Sequence, residues 1–283
     1  MTIEPHYPKL SILKEHIHYY YFLKSDDVNF RSEYYSFPDT SQALNIHKHA
    51  EVTIGKNKVH VNGNQQASPK LILQGHYDQP LHVLLTGPMD KITIIFKPIG
   101  INHFITNPYS QVASDVSQLF SEWNHNANYR QFLSSFFSTD DNEGRLLFLE
   151  SFLLSLYVEN PIHKLLHKAI FLLEGIETSI SIHDIANSLN YSDRHFSRIF
   201  KEHTGLSPRT FRKIARFRYS LLNKTTQENL KKLTTLAYES NYYDQSYFIK
   251  IFKKLTNKQP AHFFQKTIPL ANDRLFFEFI NRP

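Results

Sequence analysis

Between about Tyr19 and Lys97 the apolar residues come in short runs broken by turn-forming pairs, whereas beyond Pro161 they recur every three or four positions. The first pattern predicts strands and the second predicts helices. The breaks fall at Pro38-Asp39, Asn62-Gly63-Asn64, Gln74-Gly75, Gly87-Pro88 and Pro98-Ile99-Gly100. Lys70–Leu73 and Ile92–Phe96 read as strands, and Lys58–Val61 alternates as a half-buried strand does. A small β-barrel or sandwich is the economical fold for this stretch. After Pro108 the spacing becomes helical, first through Val112, Val116 and Leu119-Phe120, then through Leu146-Leu147, Leu149, Phe152-Leu153 and Leu156-Tyr157. These helices are expected to cover the sheet or to form a subunit contact. Asn160-Pro161 marks the expected boundary. The chain therefore divides into a β-rich, then helical domain over 1–160, an all-helical domain over 161–267 and a tail over 268–283, an α+β arrangement.

Within the helical domain one pattern occurs twice. The first copy is Ile185-Ala186-Asn187-Ser188-Leu189-Asn190-Tyr191, then Phe196, Arg198-Ile199-Phe200-Lys201, Thr204-Gly205 and Pro208. The second is Leu236-Ala237-Tyr238-Glu239-Ser240-Asn241-Tyr242, then Phe248, Lys250-Ile251-Phe252-Lys253, Thr256-Asn257 and Pro260. Ala186 corresponds to Ala237 and Phe200 to Phe252, so the second copy has one extra residue in its turn. Each copy reads as helix, tight turn, helix. Ser181 to Asp184 has the pattern of a capping box, and Ser192 can cap the helix that follows. Asn190, Asn241 and Asn257 stand where a helix end needs a left-handed residue, as does Gly205, and Asn is the best occupant after glycine. Ser207-Pro208 then opens a connecting helix through Phe211, Ile214, Phe217 and Leu221.

The helix over 193–203 has an apolar face of Phe196, Ile199 and Phe200. Arg194, Ser197, Arg198 and Lys201 fall on another, free face. Fifty-two residues on stand Ser246, Ile249, Lys250 and Lys253, preceded by Gln245. Arginine pairs with guanine, glutamine with adenine, and an exposed isoleucine covers a thymine methyl, so these faces suit the major groove of duplex DNA. Charge points the same way. The net charge of +6 is made of −4 over residues 1–160, +10 over 161–267 and zero over the tail, which restricts a polyanion partner to the second domain.

These residues resemble the AraC family of transcription regulators over about residues 161–266. The specific parts are Tyr191 to Lys201, Thr204 to Pro208, Arg216-Phe217-Arg218 and Asn241 to Lys254. The resemblance implies two helix-turn-helix units joined by a long helix, each placing its second helix in the major groove. Carried over position by position, the base-reading residues would be Arg194, Ser197 and Arg198 in the first unit and Gln245, Ser246, Ile249 and Lys250 in the second, with Lys201 and Lys253 one turn on. The family usually has glycine where this chain has Asn190, Asn241 and Asn257. Ile249 is less polar than many members at that position, and the tail, including Leu275-Phe276-Phe277, lies outside the resemblance. Residues 5–120 also look like the amino-terminal half of a subgroup, through Pro8-Lys9-Leu10, Phe37-Pro38-Asp39, Gln74-Gly75 and Ile95 to Gly100. Such domains resemble small β-barrels that sense ligands or dimerise. The partners expected on this basis are double-stranded DNA, RNA polymerase, a small-molecule effector and a second copy of the chain.

Other chemistry is disfavoured. His47, His49 and Glu51 could share one face of a strand at period two and invite comparison with a cupin metal site. The acid sits too close to the second histidine, and Leu44 and Ile46 point to the opposite face as the buried one, so no metal or other cofactor is expected. No phosphate loop, carboxylate pair or nucleophile motif stands out, which argues against an enzyme and leaves no catalytic residue to name. The alternative is a cupin-like metabolite-binding protein or enzyme with an accessory basic domain; a third reading is an architectural protein that binds DNA without sequence preference. The chain has no cysteine, so disulfides and thiolate zinc sites are excluded. Met1–Leu10 carries Glu4, Pro5 and Pro8 and lacks the apolar run of a signal peptide, and Leu146–Val158 is too short to span a bilayer. The expected location is the cytoplasm, without membrane contact.

Overall fold

A computed structural model describes residues 4–113, 116–175, 180–225, 233–270 and 275–281. Its strands are β1 (Ile17–Ser25), β2 (Arg31–Ser36), β3 (Gln42–His47), β4 (Ala50–Gly55), β5 (Lys58–Gly63), β6 (Lys70–Gln74), β7 (Leu81–Thr86), β8 (Met89–Phe96), β9 (Ser117–Leu119), β10 (Ile268–Leu270) and β11 (Leu275–Asn281). They form one sheet in the order β1-β8-β3-β6-β9 and another in the order β10-β11-β2-β7-β5-β4. Only the β5–β7 pair is parallel among these described strands. The helices are α1 (Ser11–His16), α2 (Tyr109–Val112), α3 (Tyr129–Ser138), α4 (Asn142–Leu156), α5 (Pro161–Glu174), α6 (Ile182–Ser188), α7 (Asp193–Thr204), α8 (Pro208–Thr225), α9 (Leu233–Glu239), α10 (Gln245–Thr256) and α11 (Pro260–Lys266). No described helix is long and apolar enough to cross a membrane.

The first sheet is buried on both faces, which is why β1 and β8 read as nearly continuous apolar runs. Tyr19, Tyr21, Leu23 and Ile95 face inward, against Val59, Val83 and Leu85 of the second sheet. Their neighbours Tyr20, Ile92, Ile94 and Phe96 face outward, under Phe132, Phe136, Leu149 and Phe152 of α3 and α4. A third core lies among the helices α5 to α11, and it includes Phe37, Ile99 and Phe276 from beside the sheets.

Two expectations are corrected. The helical spacing of Val112, Val116 and Leu119-Phe120 is broken: α2 ends at Val112, and residues 117–119 are β9, paired with β6. Backbone bonding to an open sheet edge outweighs the periodicity there, and Leu119 is left exposed. His47 and Glu51 do not share a strand, because the chain reverses at Lys48-His49 and puts them in β3 and β4, which belong to different sheets. The tail, by contrast, has a place. β10 and β11 form a hairpin, and β11 pairs antiparallel with β2, Phe277 opposite Ser36 and Glu278 opposite Tyr35.

Inside the barrel, Lys91 is buried with its Nζ donating to Asn45 Oδ1 at 2.9 Å, an oxygen that also accepts from Thr93 Oγ1 at 2.8 Å. Burial lowers the lysine pKa to about 7. Because the folded value lies below the unfolded one, the unfolded chain binds the extra proton between about pH 7 and 10.5, and stability rises with pH over that window. Lys91→Met is expected to stabilise the protein at pH 7 by roughly 2–5 kcal/mol, because the native state no longer has to give up or bury that proton. The margin over the wild type should shrink as pH approaches 10, measured by denaturant titration at a series of pH values.

Candidate nucleic-acid interface

The two helix-turn-helix units are built by the same set of hydrogen bonds. At the end of α6, Tyr191 N–H donates to Ala186 O at 3.0 Å and Asn190 N–H to Asn187 O at 2.9 Å. At the end of α9, Tyr242 N–H donates to Ala237 O and Asn241 N–H to Tyr238 O, both at 3.0 Å. Both are Schellman ends, which require a left-handed residue after the cap. Asn190 has φ 57° and Asn241 φ 55°. The second helices begin with matching caps, Ser192 Oγ accepting from His195 N–H and Asp244 Oδ1 from Tyr247 N–H. They end alike too, with Gly205 at φ 76° and Asn257 at φ 58°, each donating its N–H four residues back at 2.8 Å. Thr204 and Thr256 repeat one another, each hydroxyl donating to the carbonyl four residues earlier and accepting the N–H two residues on. Upstream, the Ser181–Asp184 capping box is complete.

Burial of Phe196 and Phe200 in α7, and of Phe248, Ile251 and Phe252 in α10, fixes which faces remain free. Arg194, Arg198 and Lys201 are exposed and Ser197 is half-buried; Ser246, Lys250 and Lys253 are exposed. Gln245 and Ile249 are half-buried. Gln245 Oε1 accepts from Thr234 Oγ1 at 2.7 Å, and Ile249 packs against the helical core. Arg198 is held by Glu202 one turn on, at 3.1 Å. An exposed pair of this kind is worth only about 0–1 kcal/mol, so the guanidinium is readily released to another acceptor.

Between the two units lies an open groove of about 960 Å3, with Arg209, Arg212, Lys213 and Arg216 of α8 along its floor. The sequence reading missed this row. Its signal was present, since positions 209, 212, 213 and 216 share one helical face opposite Phe211, Ile214 and Phe217. Burial and then the neighbouring Arg216 lower the pKa of Arg212, and burial and then Lys254 lower that of Lys213. Concentrated positive charge of this sort is relieved by an anion. Tyr238 of α9 and Tyr243 of the turn that follows, also missed, stand exposed on the second unit itself.

Both units touch the β-rich domain. Asn102 Nδ2 donates to His203 O at the end of α7 at 2.8 Å, and a Cβ on Gly205 would stand 3.1 Å from the Tyr109 ring. Arg218 of α8 pairs with Asp39 at 2.6 Å, Phe263 of α11 meets Phe37 edge-on at 4.7 Å, and Lys258 pairs with Glu278 of β11.

Residues 185–266 match the family model for a helix-turn-helix domain. No curated protein matches the chain. Among solved structures, the chain is similar to ToxT from Vibrio cholerae, with 15% identity, 87% of this chain and 96% of that one covered, and a TM-score of 0.46. It is also similar to wild-type ToxT of strain SCE256 bound to an unsaturated fatty acid, with 18% identity, coverage of 86% and 92% and a TM-score of 0.43. A transcriptional regulator from Chromobacterium violaceum, described as AraC-type, shows 22% identity over 36% of this chain and 89% of that one, with a TM-score of 0.33.

The left-handed turn is open to a direct test at Asn190, whose side chain is exposed. Asn190→Gly is expected to leave stability within about 0.5 kcal/mol of the wild type, whereas Asn190→Val should cost about 1–3 kcal/mol through strain at positive φ. Denaturant titration of the three proteins reads the difference.

Proposed function

We propose that this chain, whose residues 185–266 match the model for a helix-turn-helix domain, is a cytoplasmic, sequence-specific transcription regulator of the AraC type that lays α7 and α10 in successive major grooves. The observation that carries this reading is the repetition, hydrogen bond for hydrogen bond, of one helix-turn-helix unit with a free polar face in the basic part of the chain. Arg194, Ser197 and Arg198 of the first unit, and Gln245, Ser246, Ile249 and Lys250 of the second, are assigned to base edges; Gln245 and Ile249 would act from their half-buried positions at the rim. Lys201 and Lys253, with the basic row on α8, are assigned to phosphates. Base pairs read by the two units should lie about one DNA turn, roughly 10 bp, apart.

Control by a small molecule is supported by a cleft of about 880 Å3 between the domains, lined by Lys14, Tyr19 and Lys97 on one side and Arg218, Tyr219 and Leu222 of α8 on the other. A ligand there would touch the sheet and the helix that joins the two units. A second copy of the chain is supported by the outer side of α4, where Leu147, Phe148 and Leu154 are exposed. RNA polymerase is the partner that activation of transcription would require.

Reading and gripping separate experimentally. Arg198→Ala is expected to cost about 1–3 kcal/mol on the preferred site and to relax preference at one or two adjacent base pairs. Lys201→Ala should weaken all sequences alike and reduce the salt slope by roughly one. Lys250→Ala and Lys253→Ala should divide in the same way. Binding of the four variants to a library of single-base changes at two salt concentrations tests the assignment, and indistinguishable specificity profiles for the Arg198 and Lys201 variants would overturn it. For the dimer, sedimentation of Leu147→Glu and Leu154→Glu should show a loss of self-association.

A further inference from the structure

Where α1, the 3-10 turn Gly100–His103 and α5 meet, five imidazoles gather from residues far apart in sequence. His16 and His103 lie tilted against each other with ring centroids 3.9 Å apart, and His163 lies against His103 at 4.5 Å and against His203 of α7 at 5.3 Å. His167 follows His163 by one turn of α5, so both point along the same helical face. One nitrogen from each of His16, His103 and His167 lies within 4.8 Å of the other two. We propose that His16, His103 and His167 form a binding site for a divalent d-block cation of the zinc class, and that the ion joins the β-rich domain to α5.

Three features of the cluster suit a ligand set. His16 is 3% exposed, and neither of its ring nitrogens has a hydrogen-bond partner. A buried polar group in that condition carries a desolvation cost that a metal bond would remove. His103 Nδ1 lies 2.9 Å from the carbonyl of Val158, to which it can only donate. That bond fixes the tautomer and leaves the lone pair on Nε2, which accepts from His163 Nδ1–H at 3.2 Å until a cation takes it. The backbone is also held: a Cβ on Gly100 would stand 2.0 Å from His16 O, so only glycine lets the 3-10 turn approach α1 this closely.

An all-imidazole set suits zinc, copper, nickel or iron rather than magnesium or calcium. Zn–N bonds of about 2.0–2.1 Å in a tetrahedron put donors roughly 3.3 Å apart, so the rings must close by up to about 1.5 Å. Lys97 opposes a cation, while Glu15 and Glu159 favour one. His167 is half-buried, which leaves a route from solvent. The site is separate from the DNA-reading faces, and its test needs no DNA.

The experiment is a titration of the metal-free full chain with Co2+, followed by displacement with Zn2+. One equivalent of Co2+ should give the ligand-field absorption of a four- or five-coordinate ion, and Zn2+ should abolish it and raise the Tm. His16→Gln and His167→Gln should each weaken Co2+ binding tenfold or more, while His125→Gln, an exposed control, leaves it unchanged. Absence of a stoichiometric site, or wild-type affinity in the His16→Gln/His167→Gln double variant, overturns the proposal. Should the variants fail to fold, a Zn2+-soaked crystal of the wild-type protein decides. An anomalous peak among the three imidazoles upholds the site, and a peak only elsewhere, or none, overturns it.

Discussion

The arrangement of the whole chain turns on the burial of Phe37 and Ile99, two side chains of the β-rich domain, inside the core of the helical one. Both are essentially inaccessible to water, and they pack among the same residues that hold α5 to α11 together. Two domains that share a core cannot separate without opening apolar surface, so the helix-turn-helix units inherit their placement from the barrel. Ile99 makes the constraint plain, because its φ is 58°, a left-handed conformation that a β-branched residue adopts only when its surroundings enforce it. The turn is strained so that the side chain can reach that core.

Electrostatics reinforces this contact at its edges. Arg218–Asp39 and Lys258–Glu278 join helical elements to the β-rich side, and each pair is largely shielded from solvent. Asn102 satisfies the carbonyl of His203 near the end of α7, where a helix leaves acceptors unpaired. Helix α7 therefore ends on the β-rich domain, and α8 runs along the cleft between the two.

What was legible in the sequence was local. The three left-handed asparagines, the capping box at Ser181, the Ser192 cap and the buried stripe of α8 each depend on residues within a turn or two, and local chemistry decides them. The strand at 117–119 was misread as helix because its conformation is set by the open edge of β6, which the spacing of its own apolar residues cannot report. The tail was opaque for the same reason, its partner β2 lying at the other end of the chain. Reading α8 for its apolar face hid the basic row on the opposite side, although the spacing was there. The histidine cluster was invisible except for the four-residue step from His163 to His167, since His16 and His103 reach it only through the folded backbone.

The pairing of β11 with β2 also sets an order of events during synthesis. Phe277 lies opposite Ser36 and Phe279 opposite Tyr34, so β2 must wait for a strand that lies beyond both helix-turn-helix units. Until then one side of β2 presents unpaired N–H and C=O groups, the template on which foreign strands add. Pairings this distant in sequence form slowly, and the waiting edge is open to misassembly meanwhile. A nascent chain held on the ribosome would thus carry both sheets with the β2 edge still bare, and the hairpin that covers it would come only from beyond the helix-turn-helix units.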